Sequence, residues 1–356
     1  MVKISPNLYA SQVAASTSGT DVPQPFEGDA LLPNFQLASG EVLPELRMHY
    51  RTLGTPTCDV HGVVRNAVLI THGTGGTGDQ FLRPEFAGVL FGPGCLLDAE
   101  LYYLILTDGI GHGKSSKPSD GLRAGFPSYG YRDMVDAQHR LLLEGLGINH
   151  LRLVMGISMG GQQAWTWGVR YSGFMDALMP LGSVPSQISG LNRVWRRIII
   201  DAIRNDPGWH GGNYSVQPQS LRTAWQMFYI MCSNPVLRQQ QGPTQALADQ
   251  ALDAFVARGL ESLDANDLLY QMEASRDYDP NPDLEKIQAP LFAVNSADDL
   301  INPHQLGILE REIGRVRNGR AVVLETTRAT RGHGSYSFAT LWKHHLELLL
   351  AESANP

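Results

Sequence analysis

Charge is scarce in this chain. Asp, Glu, Lys and Arg make up 18% of its 356 residues, against about 25% in a typical soluble domain. That scarcity excludes a charged coiled coil, a charged solenoid and a solvated tail protein. Basic charge is the rarer sign, with a net charge of −7. The longest basic cluster is Arg193-Val194-Trp195-Arg196-Arg197, which reads as the solvated edge of a helix. A nucleic-acid binder needs a basic face or stripe, so nucleic acid is not an expected partner. Cysteine is rarer still: Cys58, Cys95 and Cys232. An odd count with no metal-ligand spacing argues against a disulfide framework and against a cysteine metal site. No apolar run approaches the roughly 18 residues of a membrane span, so no membrane partner is expected. The N-terminus also lacks the apolar region of a secretory signal. A cytoplasmic location follows if Met1 is the native start, and a secreted or periplasmic one if a signal peptide has been removed.

What is present is a large core. Hydrophobic residues reach 43%, which excludes a mainly disordered chain. The length fits one large domain carrying an insertion. Residues 10–25 are rich in Ala, Ser, Thr and Gly, so residues 1–30 read as a flexible leader. Six short apolar runs follow: Asn66–Thr71, Leu101–Thr107, Leu151–Met155, Ala177–Leu181, Pro290–Asn295 and Ala321–Glu325. Continuous apolar runs fit strands of a parallel sheet covered on both faces. Phe35–Ala38 and Glu45–Leu53 read as antiparallel edge strands, the second with alternating apolar residues. Helical patterns over Tyr131–Gly147 and Ala339–Ala351 complete an α/β core spanning 31–184 and 286–356. Residues 185–285 hold only helical stretches. They read as a helical lid inserted between the fourth and fifth parallel strands, over the carboxyl ends where such sheets place their sites.

Gly156-Ile157-Ser158-Met159-Gly160-Gly161 joins an apolar strand directly to a helical stretch. A strand, a G-x-S-x-G turn and a helix together make a sharp elbow that exposes the serine. Ser158 is therefore the expected nucleophile. A serine hydroxyl needs a base, and in this architecture the acid and then the histidine follow the serine along the chain. That order leaves His304, His333, His344 and His345 of the eleven histidines. His344 and His345 fall within a helix and His304 at a helix start. His333 lies in the loop Arg331-Gly332-His333-Gly334-Ser335 after the last strand, so it is the expected base. The acid ends the preceding strand, at Asp298 or Asp299. Asp299 is preferred on its spacing to Pro303. A second amide should join that of Met159 in an oxyanion hole, from His72-Gly73-Thr74-Gly75-Gly76. Thr74 is preferred there, then Gly73, with His72 buttressing the loop. Asp108–Ser115 is glycine-rich but lacks P-loop spacing. No metal or organic cofactor is expected.

With these residues in view, the chain resembles the homoserine O-acetyltransferase-like branch of the α/β-hydrolases, from about Phe35 to the C-terminal helix. The likeness rests on Phe126-Pro127, Arg132-Asp133-Met134-Val135, Leu146-Gly147-Ile148 and the elbow Gly156–Gln162. It rests most specifically on Asn205-Asp206-Pro207-Gly208-Trp209-His210-Gly211-Gly212-Asn213-Tyr214. The resemblance implies an α/β-hydrolase fold with a mostly parallel sheet, helices on both faces and a helical lid. It also implies a Ser158, Asp299 and His333 triad, and a homodimer through the lid. The acetyltransferases carry a lid arginine in G-L-A-x-A-R. Here the stretch is Ser220-Leu221-Arg222-Thr223-Ala224-Trp225, with Trp225 at the arginine position. Trp225, Arg222 and Tyr229 are the lid residues expected at the substrate. The family's H-A-L-T-G loop is replaced by His72–Gly76.

A carboxylate-bearing acceptor would thereby lose its bidentate partner, which favours water as acceptor and uncharged short esters. The expectation is a serine esterase acting on a small-molecule ester. Acyl-CoA-dependent O-acyl transfer is the alternative, and a non-catalytic binding protein on the same scaffold the remote one.

Overall fold

The computed structural model describes residues 22–354. Its eight strands are β1 (Phe26–Gln36), β2 (Val42–Leu53), β3 (Ala67–Thr71), β4 (Tyr103–Thr107), β5 (Leu153–Ile157), β6 (Leu178–Leu181), β7 (Leu291–Ser296) and β8 (Gly319–Leu324). They form one sheet in the order β1-β2-β4-β3-β5-β6-β7-β8. β1 and β2 pair antiparallel, as do β2 and β4. Every other pairing is parallel.

The apolar runs seen in the sequence are buried on both sides because alternate residues feed two cores. Ala67, Leu69, Tyr103 and Ile105 belong to one core, and Val68, Ile70, Leu104 and Leu106 to the other. Among the described residues there are ten α-helices, in chain order α1 (Ala87–Leu90), α2 (Tyr131–Arg140), α3 (Met159–Arg170), α4 (Gly190–Arg204), α5 (Ser220–Met231), α6 (Pro235–Gln241), α7 (Gln245–Leu260), α8 (Ala265–Glu273), α9 (Ile308–Glu312) and α10 (Lys343–Glu352). α2 and α3 cover the first face of the sheet, and α1 and α10 the second. Among the described residues no helix is long and apolar enough to cross a membrane.

One boundary differs from the sequence reading. β1 begins at Phe26, so residues 26–30, placed in the leader, are strand. The stretch hides because Gly28, Asp29, Pro33 and Asn34 are poor strand formers. An edge strand tolerates them, and proline in particular is confined to such edges. The rest of the expected leader, residues 1–21, lies outside the described residues.

The insertion between β6 and β7 supplies α4 to α8 and has its own core, including Trp195, Ile199, Ile203, Leu221 and Leu268. Polar ties fasten it to the sheet domain. Asp267 of α8 accepts hydrogen bonds from Ser119 N at 2.8 Å and Ser119 Oγ at 2.6 Å, and Gln271 Nε2 donates to Gly111 O at 2.8 Å. Burial raises the Asp267 carboxyl to about 6, outweighing the Ser119 bonds that favour its ion. The folded chain thus holds this proton more tightly than the unfolded chain does. The resulting stability is fully present below about pH 4 and is lost as pH rises through about 6. Asparagine keeps both contacts without the charge. Asp267→Asn should therefore raise stability at pH 8 by up to about 3 kcal/mol and leave it unchanged at pH 4. Urea unfolding at the two pH values checks this, and a loss of stability at pH 8 would contradict it.

Candidate active site

Four loops at the carboxyl ends of β3, β5, β7 and β8 converge beneath the lid. The one after β5 is the elbow. Ser158 has φ 58° and ψ −114°, a strained backbone for a residue with a side chain. Neighbouring glycines make the turn sterically feasible. A Cβ on Gly160 would lie 1.9 Å from the Thr71 carbonyl oxygen, and one on Gly156 would lie 2.2 Å from Thr71 Oγ1. Met159 opens α3, so its amide has no intrahelical acceptor and stands at the positive end of the helix dipole.

His333 Nε2 lies 2.7 Å from Ser158 Oγ, and His333 Nδ1 lies 2.8 Å from Asp299 Oδ2. The ring is 7% exposed and Asp299 2%. Burial pushes the Asp299 carboxyl up. The charge and hydrogen bond of His333, the Ile301 amide and the Tyr336 hydroxyl outweigh that and hold it below the usual carboxylate value. The two candidate acids therefore separate. Asp298 faces the other way: its Oδ2 accepts from Gly332 N at 3.1 Å and from Asn234 Nδ2 of the lid. Its Oδ1 accepts from Ser296 Oγ at 2.5 Å.

Tyr336 escaped the sequence reading. Its hydroxyl donates to Asp299 Oδ2 at 2.9 Å and accepts from Ser296 N at 2.9 Å. Its ring meets His333 edge-on at 5.5 Å. A tyrosine three residues beyond the histidine was the available signal.

The loop after β3 lies against the nucleophile, and a Cβ on Gly73 would stand 3.5 Å from Ser158 Cβ. Two buried imidazoles hold this loop from behind. His72 Nε2 accepts from Gly109 N at 2.9 Å, so its proton sits on Nδ1, which donates to Gly73 O at 2.8 Å. His112 Nε2 lies 3.0 Å from the Thr74 carbonyl oxygen. Burial, with His72 beside it, lowers His112 to about 3, although both ring nitrogens face carbonyl oxygens, Nδ1 that of Ile110 at 2.9 Å.

Above Ser158 is a cavity of about 550 Å³ whose lining includes Thr74, Ser158, Arg196, Trp225, Phe228, Met231, Cys232, Phe255, Ile301 and His333. A neighbouring cavity of about 400 Å³ shares Ile301 but does not reach Ser158. Trp225 lies nearly parallel to Phe228 and Phe255, with centroids 4.6 and 5.3 Å away. This aromatic slab rests on the loop after β3: a Cβ on Gly75 would approach Phe228 to 3.0 Å.

Of the three expected lid residues, only Trp225 lines the cavity. Arg222 instead points to solvent and pairs with Asp253 at 2.7 Å, because Asp253 on α7 offers an exposed counter-charge. Tyr229 lies beneath the Arg238 guanidinium at 3.7 Å and against Phe255, and is not among the residues that line the cavity. Phe228 and Phe255 take the places expected for them. Arg196 corrects a further reading. Grouped in the sequence with a solvated helix edge, it is 4% exposed and lines the cavity.

Comparison with known proteins places this arrangement among relatives. A family model described as alpha/beta hydrolase fold matches residues 66–320. The chain is 32% identical to a protein of Methanothermobacter thermautotrophicus named "Probable acyltransferase", over 74% of this chain and 80% of that protein. It is 30% identical to a homoserine O-acetyltransferase of Pelobacter propionicus, over 89% of this chain and 95% of that one. Among solved structures, an acetylester hydrolase from Corynebacterium glutamicum superposes with a TM-score of 0.78 at 22% identity, covering 91% of this chain and 96% of that one.

Proposed function

Because the chain belongs to the α/β-hydrolase family, in its homoserine O-acetyltransferase-like branch, we propose that it is a serine hydrolase of carboxylic esters with a small acyl group. The observation that carries this reading is the hydrogen-bonded line from Ser158 through His333 to Asp299, which opens into a cavity of about 550 Å³.

In the reaction, Ser158 Oγ attacks the ester carbonyl while His333 Nε2 takes its proton. The Met159 and Thr74 amides stabilise the oxyanion. Collapse of the adduct expels the alcohol, which leaves with the proton from Nε2, and the acyl group stays on Ser158. Water then attacks the acyl-enzyme, giving its proton to Nε2. Ser158 Oγ departs with that proton, releasing the carboxylic acid. Asp299 orients the ring throughout and stabilises its cationic form. The preference for water as acceptor is read from the sequence resemblance, in which Trp225 takes the position of the acetyltransferases' lid arginine.

Acyl transfer to an alcohol is the second reading, favoured by the names of the relatives. A panel of p-nitrophenyl esters of rising acyl length, with and without acetyl-CoA and homoserine, tests the two. The expected outcome is p-nitrophenol release without any acceptor, highest for acetate to butyrate and lower for octanoate. O-acetylhomoserine formation faster than the best hydrolysis would reject the hydrolase reading in favour of transfer.

A further inference from the structure

Arg196 lies on the inward face of α4, in line with Asn192, Ile199 and Ile203, all buried. Its Nε donates to Asn192 Oδ1 at 3.1 Å, and its Nη1 is buried with no hydrogen-bond partner among the described residues. Only one other arginine among the described residues is equally buried. That is Arg51, 5% exposed and paired with both Asp108 and Glu27. Arg196 forms no ion pair in the described structure. A guanidinium taken out of water without a counter-charge is strongly disfavoured. Arg51 meets that demand with two carboxylates of the chain, while Arg196 is left open at the wall of the cavity that holds Ser158.

We propose that Arg196 binds a carboxylate carried by the substrate away from the scissile bond, so that the preferred substrates are short esters bearing a carboxylate. The identity of the scissile bond rests on the ester-hydrolase reading above; the anion site does not. A guanidinium whose Nε is held by Asn192 and whose Nη1 makes no hydrogen bond among the described residues offers its Nη1–Nη2 edge, which matches a planar monoanion better than a phosphate. The same cavity is lined by apolar Trp225, Phe228, Met231 and Ile301, which suit a short methylene chain between ester and carboxylate, and its charged lining also includes Asp79 and Arg83. The sequence expectation of uncharged substrates considered only the lid position now held by Trp225. Arg196 supplies positive charge to the same cavity from a different helix.

The test compares 4-acetoxybutanoate with 4-acetoxybutanamide, which is close in shape, lacks the distal charge and carries no second ester. Wild-type protein should show at least about tenfold higher kcat/KM for the carboxylate. Arg196→Met should lower that ratio about tenfold or more, and Arg196→Lys by less. Calorimetric binding of 4-hydroxybutanoate to Ser158→Ala gives a readout free of chemistry, and adding Arg196→Met should abolish it. Equal or reversed preference in the wild type overturns the anion site even if the Arg196 variants fail to fold. Absence of 4-hydroxybutanoate binding to Ser158→Ala also counts against it. If neither ester is cleaved but binding depends on Arg196, the hydrolase reading fails and the anion site stands. If both esters are cleaved without preference, only the anion site fails.

Discussion

Replacing Ser158 with alanine should lower ester turnover by about 10⁶ while leaving the fold intact. Loss of a triad nucleophile has an effect of that order because the remaining groups act only through it. In this chain the dependence is visible in the geometry. Ser158 Oγ is the group bonded to His333 Nε2, and without it the ring has no proton to accept at the elbow. The backbone argument predicts the intact fold: alanine keeps the Cβ that already tolerates φ 58° and adds no atom. His333→Ala should show a loss of the same order. The measurements are kcat on a short ester and the thermal midpoint by circular dichroism. Retention of more than a tenth of wild-type kcat by either variant would remove Ser158 and His333 from their proposed roles.

The elbow was legible because its constraints are local. A strand, a glycine–serine turn and a helix sit side by side in the chain, and close packing at Gly156 and Gly160 leaves a direct mark on the sequence. The order of acid and base along the chain left four histidines, and the glycine-flanked loop after the last strand then selected His333. Whether Asp298 or Asp299 meets the ring was less legible. Adjacent residues in a turn point in different directions, and a one-residue slip exchanges their partners.

The lid was legible as helices but not as a surface. Trp225, Phe228 and Phe255 come from two helices whose relative placement no local pattern reveals. Arg222 lies one turn before Trp225 on the same helix, yet Asp253 on α7 draws it outward. Arg196 did leave a signal. Asn192, Trp195, Ile199 and Ile203 mark the buried face of α4, and Arg196 falls on that face whereas the exposed Arg197 does not. Counting the three arginines as one cluster hid the helical phase that separates them. The early start of β1 was hidden for a simpler reason: an edge strand has few packing demands, so its sequence need not look like a strand.

Asp299→Asn should lower kcat by about 10⁴, and the hydrogen-bond inventory explains the direction. One carboxylate oxygen, Oδ1, accepts from the Ile301 amide at 2.8 Å and faces the Asn302 amide at 3.4 Å. The other, Oδ2, accepts from His333 Nδ1 and from the Tyr336 hydroxyl, with Asn302 Nδ2 more distant at 3.4 Å. An asparagine must turn its NH₂ toward one pair or the other. Backbone amides cannot become acceptors, whereas an imidazole can move its proton. The NH₂ will therefore face His333 and donate to Nδ1, leaving the ring proton on Nε2. That nitrogen then donates to Ser158 Oγ and cannot take the serine proton. Asp298→Asn changes no group that touches the ring. It loosens the contact of the β7 loop with Gly332 and with Asn234 of the lid, so it should alter KM more than kcat and cost less than about tenfold in kcat. Steady-state kinetics of both variants on one short ester decide the matter: if Asp298→Asn is the more damaging in kcat, the acid role belongs to Asp298.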